Sequence, residues 1–223
     1  MTLEHRFARV LERVAAAAER SGRVASDVTV VAVSKTFPAD VLMAAIEVGA
    51  VDLGENRAQE LKQKQAVVSG ARWHFIGHLQ TNKVRHVVGV ALVHSVDRFG
   101  LGEAIARRAS AMDIVQDVLI EVNVSGEANK HGVTPERMSA LAEQLQDLDG
   151  LRVAGLMAMP PFPNDPEESR PYFQQLVALR HELVDRAPGA SDLSMGMTRD
   201  FEIAVEEGAT IVRVGEAIFG PRR

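Results

Sequence analysis

The 223-residue sequence contains no cysteine, which removes disulfides, thiolate zinc sites and thiol catalysis. It also leaves the redox compartment unread. No apolar run approaches the length of a membrane span. There is no linker, low-complexity stretch or sequence-level repeat. Basic residues are in the minority: 25 Lys and Arg against 30 Asp and Glu give a net charge of −5. Such a mildly acidic chain is a poor electrostatic match for nucleic acid or an anionic membrane. The first twenty residues, MTLEHRFARVLERVAAAAER, are studded with charges and do not read as a signal peptide, so the cytoplasm is the expected location. What is present is an ordinary globular balance, 46% hydrophobic and 25% charged, which excludes disorder, collagen and coiled coil. The length favours one domain over residues 1–223 with room for a sizeable core.

Hydrophobic periodicity supplies the architecture. Leu3, Phe7, Val10, Leu11 and Val14 recur at helical spacing, so the chain opens with an amphipathic helix. The next segment, Val28 to Ser34, is a nearly continuous apolar, β-branched run that suits a strand covered on both faces. Seven further strands are expected: Val51 to Gly54, Trp73 to Gly77, Ala91 to Val96, Val118 to Val124, Val153 to Met159, Asp192 to Met195, and Thr210 to Val214. Helical patterns alternate with them. Ala39 to Val48 ends at Gly49, a C′ glycine. Arg57 to Val68 follows, then Leu101 to Met112 with Asp97 as N-cap. Thr134 and Pro135 read as N-cap and N1 of the next helix; Tyr172 to Val184 and Asp200 to Glu207 complete the set. Gly77 to His86 is expected to hold a short helix. Eight strands alternating with helices, at roughly 28 residues per unit, predict a (β/α)₈ barrel of the TIM type with an extra N-terminal helix. The alternative is an open doubly wound sheet. Met159 to Pro171 carries five of the nine prolines and would stand at the barrel mouth, as a lid or as a stiff surface connection.

Among five lysines, four sit in polar surroundings and Lys35 ends the first apolar strand, in VAVSKTFP. Strand C-termini point into the mouth of a barrel. An amine there is partly desolvated, which lowers its pKa and frees the lone pair that attacks an aldehyde to form a Schiff base. The alternative is a lysine that marks the strand end and reaches solvent. At the other end of the chain, Asp192 to Asp200 reads strand, small turn, helix. Ser194 and Thr198 offer hydroxyls there, and Gly196 allows close backbone approach. Gly215 lies just past the last strand. Loops after strands seven and eight commonly hold phosphate in barrels, although capping and plain turns explain each piece singly. Arg213 sits inside an apolar strand and needs a partner, either a carboxylate such as Glu121 or a ligand. An amine, a phosphate cradle and an arginine for a ring nitrogen together describe a site for pyridoxal 5′-phosphate. Because arginine keeps its proton, that ring nitrogen stays unprotonated and the ring is a weaker electron sink.

The other polar features are weaker. Asn56 ends the second strand and either reaches a ring substituent or caps the following helix. His74 and His78 stand on a strand and its exit, without the helical spacing of a zinc pair, and no metal is expected. Trp73 reads as core or rim, and His94 and His131 as structural.

The stretches VAVSKTFP, LGENRAQE, WHFIGHLQTNK, SVDR, EVNVSGEANKHG, GLMAMPP, SMGMTRDFEIAVEEGAT and VRVGEAIFG, taken in order, resemble the pyridoxal phosphate homeostasis protein family. That family is a single-domain relative of the alanine racemase N-terminal barrel. The resemblance implies that Lys35 holds pyridoxal 5′-phosphate as a Schiff base, that Asn56 lies beside the ring and that Arg213 faces the pyridine nitrogen. It further implies that Ser194, Thr198 and the backbone at Gly215 and Glu216 hold the phosphate. It implies a cytoplasmic monomer acting in vitamin B6 homeostasis, with apo-forms of PLP enzymes as transient partners. Two positions depart from the family. Phe37 replaces a frequent second lysine, and Glu216 replaces a threonine that gives the phosphate a hydroxyl. A carboxylate aimed at phosphate would repel it, so the Glu216 side chain is expected to turn away.

A racemase needs two opposed acid/base groups. The single tyrosine, Tyr172, starts a helix and is expected to be partly buried, which leaves one face of the site without an obvious base. A binding and delivery protein is therefore the favoured reading. A low-efficiency PLP-dependent amino-acid racemase and a cofactor-free Schiff-base aldolase or isomerase are the rivals.

Overall fold

In the computed structural model, which describes residues 1–221, eight strands close into a parallel barrel in sequence order, with β8 pairing β1. The chain opens with α1 (Leu3–Arg20), whose Thr2 N-cap oxygen accepts from the His5 amide. Then follow β1 (Thr29–Val33), α2 (Ala39–Glu47), β2 (Asp52–Glu55), α3 (Ala58–Gln65), β3 (Arg72–Phe75) and β4 (Leu92–Val96). The second half is α4 (Phe99–Ser110), β5 (Gln116–Glu121), α5 (Pro135–Gln146), β6 (Leu151–Met157), α6 (Arg170–Arg186), β7 (Asp192–Ser194), α7 (Phe201–Glu206), β8 (Ile211–Val214) and α8 (Glu216–Phe219). All eight strands fall on the segments that periodicity predicts. The short helix expected between Gly77 and His86 is a 3₁₀ helix, Thr81–His86.

Strand alternation divides the buried side chains into two sets. Outward residues such as Val30, Ala32, Leu53, Val93 and Leu193 pack under the helices, against Leu42, Leu61, Leu101, Ile105, Phe173 and Phe201. Inward residues Val31, Leu92, Leu119, Met157 and Ile211 form a separate cluster inside the barrel. Trp73 is buried in the outer set and Tyr172 is partly buried against it, as their positions suggested.

Helix starts show where sequence reading slips. Asp97 does not cap α4; Arg98 occupies that position. The Asp97 carboxylate instead accepts from Arg98 Nη1 at 2.5 Å and lies 3.7 Å from His78 Nδ1, because the Arg98 guanidinium outbids an exposed helix end. At α7 the N-cap is Asp200, whose Oδ1 accepts from the Met197 amide at 2.7 Å. Its other oxygen accepts from the Ser169 hydroxyl, which ties the proline-rich segment to the strand-seven turn. Thr134 and Pro135 open α5 as expected, and Gly49, with φ +94°, follows the C-cap of α2.

Candidate functional site

A cavity of about 700 Å³ opens at the C-terminal ends of β1, β7 and β8. Lys35, Arg213, Thr198, Gly215 and Glu216 all line it, so five of the seven singled-out residues meet in one place. The proline-rich segment supplies its rim through Phe162 and Pro163. Arg199 lies over the Phe162 ring at 4.3 Å and closes that side. The N-terminal helix supplies the opposite wall through Arg6, Arg9, Val10 and Arg13. This contribution was not read from the sequence, although arginines at positions 6, 9 and 13 fall on one helical face. The lining carries six basic side chains, Arg6, Arg9, Arg13, Lys35, Arg199 and Arg213, against two acidic ones, Asp200 and Glu216. Such a cavity favours an anion.

Lys35 is the one lysine lining this cavity among the described residues, and its flanks are pinned. Ser34 is fully buried and donates its hydroxyl to Glu55 Oε1 at 2.6 Å. Lys64 Nζ donates to the Ser34 carbonyl at 2.8 Å, to Glu55 at 2.6 Å and to Glu60 at 2.7 Å. Glu60 in turn accepts from the Thr36 amide at 2.6 Å. Thr36 has φ +71°, a left-handed conformation that costs a β-branched residue on the order of 1–3 kcal/mol. The clamp from Lys64, Glu55 and Glu60 is what holds it there. Burial pushes the Glu55 carboxyl up, against the pull of Lys64 and Ser34. Glu60 is held below its usual range, because the Lys64 and Thr36 hydrogen bonds outweigh its partial burial. Lys64 therefore departs from its expected polar surroundings: it is buried, and only the partners gathered by folding show why.

Arg213 is buried among main-chain and hydroxyl oxygens. Its Nη1 donates to the Ser194 carbonyl at 2.7 Å and hydroxyl at 2.6 Å, and its Nη2 to the Ala158 carbonyl at 2.9 Å. None of these acceptors is a carboxylate, so the pairing with Glu121 considered from sequence is no direct contact. Burial lowers the Arg213 pKa to about 10, with the charges of Glu121 and Asp200 opposing. Burial and the nearby Asp97 charge raise Glu121 to about 7. Its Oε2 is buried without a hydrogen-bond partner.

Thr198 and Gly215 both line the cavity, after β7 and β8 respectively. Gly196 has φ +87°, and a Cβ there would lie 2.5 Å from Ala204 Cβ, so both conformation and packing demand glycine. Gly215 is the N-cap of α8, and the Glu216 and Ala217 amides fall in the first turn, where the helix supplies no acceptor. The Glu216 residue is exposed.

Two candidates lie elsewhere. Ser194 is fully buried and committed to Arg213 and His94. Asn56 lines a separate cavity of about 260 Å³ with Phe75, His78, Leu79 and Lys83, and it is not the N-cap of α3. Phe37 stacks on Phe219 with centroids 4.8 Å apart, which places an apolar ring beside a smaller cavity shared by Lys35 and Gly215. On the far rim the His78 and His131 rings stack at 3.9 Å, and one ligand-capable atom from each lies within 4.8 Å of Asp97 and of one another. Positions so far apart in sequence gave no signal of that meeting.

Comparison with known proteins narrows the chemistry. The family described as alanine racemase, N-terminal domain, matches residues 9–223. A pyridoxal phosphate homeostasis protein from Aquifex aeolicus is 48% identical over 222 residues, covering 98% of this chain and 97% of that protein. One from Escherichia coli strain K12 is 36% identical over 226 residues, covering 99% and 97%. The solved structure of PipY from Synechococcus elongatus with PLP bound superposes with a TM-score of 0.84 at 31% identity, covering 98% of this chain and all of that one.

Proposed function

From the premise that this chain belongs to the pyridoxal phosphate homeostasis protein family, we propose that it binds pyridoxal 5′-phosphate and acts in its intracellular homeostasis, with Lys35 as the anchoring amine. The observation that carries this reading is the single cavity shared by Lys35, Arg213, Thr198 and Gly215. The donor set fits the coenzyme. A lining dominated by cations suits a phosphate dianion, and the open amides after Gly215 suit its oxygens. Bound there, the coenzyme supplies an aldehyde that an amine captures reversibly.

The chain's own residues do the rest. Lys35 offers its amine from a strand end whose flanking residues cannot swing, because Lys64 and Glu60 hold Ser34 and Thr36. Arg213 presents a fixed cation to the pyridine nitrogen and keeps a proton off it. Thr198 and the amides after Gly215 bind phosphate, while the Glu216 carboxylate stays toward solvent. Ser194 acts through Arg213. Asn56 stands one strand away, and its place beside the ring rests on the family resemblance. No helix among the described residues is long and apolar enough to cross a membrane. A cytoplasmic monomer that hands coenzyme to apo-enzymes is part of the same reading.

Reduction with borohydride after incubation with pyridoxal 5′-phosphate tests it. The expected result is a mass increase on the Lys35 peptide, together with a visible absorption band, both lost in Lys35→Ala. A wild-type protein that stays colourless and unlabelled would falsify the reading and favour the cofactor-free aldolase class.

A further inference from the structure

The barrel interior holds buried polar side chains that do not line the coenzyme cavity. Asp52 opens β2, His74 lies in β3, His94 in β4 and Ser194 ends β7; all four are buried. They form one unbroken chain across the barrel. Asp52 Oδ1 is 2.8 Å from His74 Nε2, His74 Nδ1 is 3.0 Å from His94 Nε2, and His94 Nδ1 is 2.9 Å from Ser194 Oγ. Arg213 Nη1 then donates to Ser194 Oγ at 2.6 Å. At the opposite rim, Arg72 donates Nε and Nη2 to the two Asp52 oxygens, at 2.5 and 2.9 Å.

Donor counting gives the chain one direction. Arginine has donors only, so Ser194 Oγ accepts from Arg213. Among its hydrogen-bond partners, the Ser194 hydroxyl proton then has a single acceptor, His94 Nδ1. His94 therefore carries its proton on Nε2 and donates to His74 Nδ1. His74 carries its own on Nε2 and donates to Asp52. Complete burial, with His74 and Arg213 nearby, holds the His94 pKa well below its usual value, in keeping with a neutral ring. Asp52 stays below its usual range, because its bonds from His74 and Arg72 outweigh its partial burial.

We propose that Asp52, His74, His94 and Ser194 are positioning residues that hold Arg213 from behind, through a relay of hydrogen bonds anchored at the far side of the barrel. A buried guanidinium ordinarily rests on a carboxylate, and Arg213 hydrogen-bonds to none. A series of donors all aimed at Asp52 polarises each member in turn, so Ser194 Oγ becomes a stronger acceptor than an isolated hydroxyl. The guanidinium plane is thereby locked, and the Ser194 hydroxyl has no proton left for a phosphate oxygen. The functional part of this inference rests on the reading of Arg213 as the partner of the coenzyme's ring nitrogen.

The first measurement needs no coenzyme. In protein with ¹⁵N-labelled histidine, two-bond ¹H–¹⁵N correlation should show His94 and His74 with protons on Nε2 and bare Nδ1. A His94 proton on Nδ1 would overturn the chain. The second uses Asp52→Asn, which keeps an acceptor for His74 and removes the charge. It should shift the Arg213 side-chain ¹⁵N signals in the empty protein and weaken pyridoxal 5′-phosphate binding, read by fluorescence titration, about tenfold. Ile105→Val, a shell variant, serves as the stability control and should do neither. Stability loss with unmoved Arg213 signals and affinity makes the chain merely structural and refutes the proposal. Should Asp52→Asn fail to fold, Ser194→Ala removes the last link and carries the same expectations. If the wild type takes up no coenzyme, the proposed function falls, while the imidazole and guanidinium signals still decide this inference.

Discussion

On the outer face of the sheet, Leu53, Leu61, Leu101, Ile105, Phe173 and Phe201 are fully buried in apolar company, which polar groups such as the Ser34–Glu55–Lys64 clamp at the top interrupt in places. On the inner face, five apolar side chains share the barrel with Asp52, His74, His94, Glu121, Ser194 and Arg213. Apolar contacts are non-directional and tolerate small shifts. Buried polar groups need partners at fixed distances and cost stability when one is missing, as at Glu121 Oε2. The two faces thus divide the labour. The shell supplies folding free energy, and the interior spends some of it on fixing charges at the mouth.

The sharpest way to break that division is Phe173→Ala. It should lose about 4 kcal/mol of stability in urea unfolding, while each molecule that remains folded still takes up coenzyme at Lys35 as the wild type does. A stability change near zero, or a loss of uptake by folded protein, would erase the distinction. Next comes Lys64→Met, which sits where the two regions meet. It leaves Glu55 buried without its cation and should cost about 3 kcal/mol. Because Lys64 also holds the Ser34 carbonyl, borohydride trapping at Lys35 should slow as well; unchanged trapping would separate the clamp from the site. The smallest effect is the interior's pH signature. Glu121 is raised from 4.5 to about 7, so the folded state binds a proton that the unfolded state has released across that window. Its stabilising contribution is present below the lower value and is lost as pH rises through about 7. Glu121→Gln should flatten that fall, on the order of 2 kcal/mol between acid and neutral pH, in unfolding curves taken at several pH values. A slope unchanged by the substitution would place the titration elsewhere.

Much of this was legible beforehand, for a physical reason. Barrel strands covered on both faces leave apolar runs that periodicity finds, and their C-terminal ends mark the mouth, so Lys35, Arg213, Thr198 and Gly215 could be placed from sequence. The interior chain could not. His74 and His94 meet across neighbouring strands, where register rather than spacing decides contact, and Ser194 joins them from the opposite side. Lys64 looked solvated because the helix around it, AQELKQKQ, is polar nearly throughout; its burial depends on Glu55 and on the Ser34 carbonyl. Asp97 looked like a helix cap because acidic residues often are, and Arg98 claimed it.

The barrel closes where β8 meets β1, with Arg213 beside Val31 and Lys35 a few residues further on. The two groups that would grip the coenzyme thus stand on either side of a seam that joins opposite ends of the sequence. Pairing segments so distant carries loop-closure entropy and slows the assembly of such a fold. A cargo held from both banks binds only the joined form and therefore makes parting the seam harder. Loaded molecules should resist unzipping there more than empty ones, so vitamin supply would tune how long each copy survives local opening.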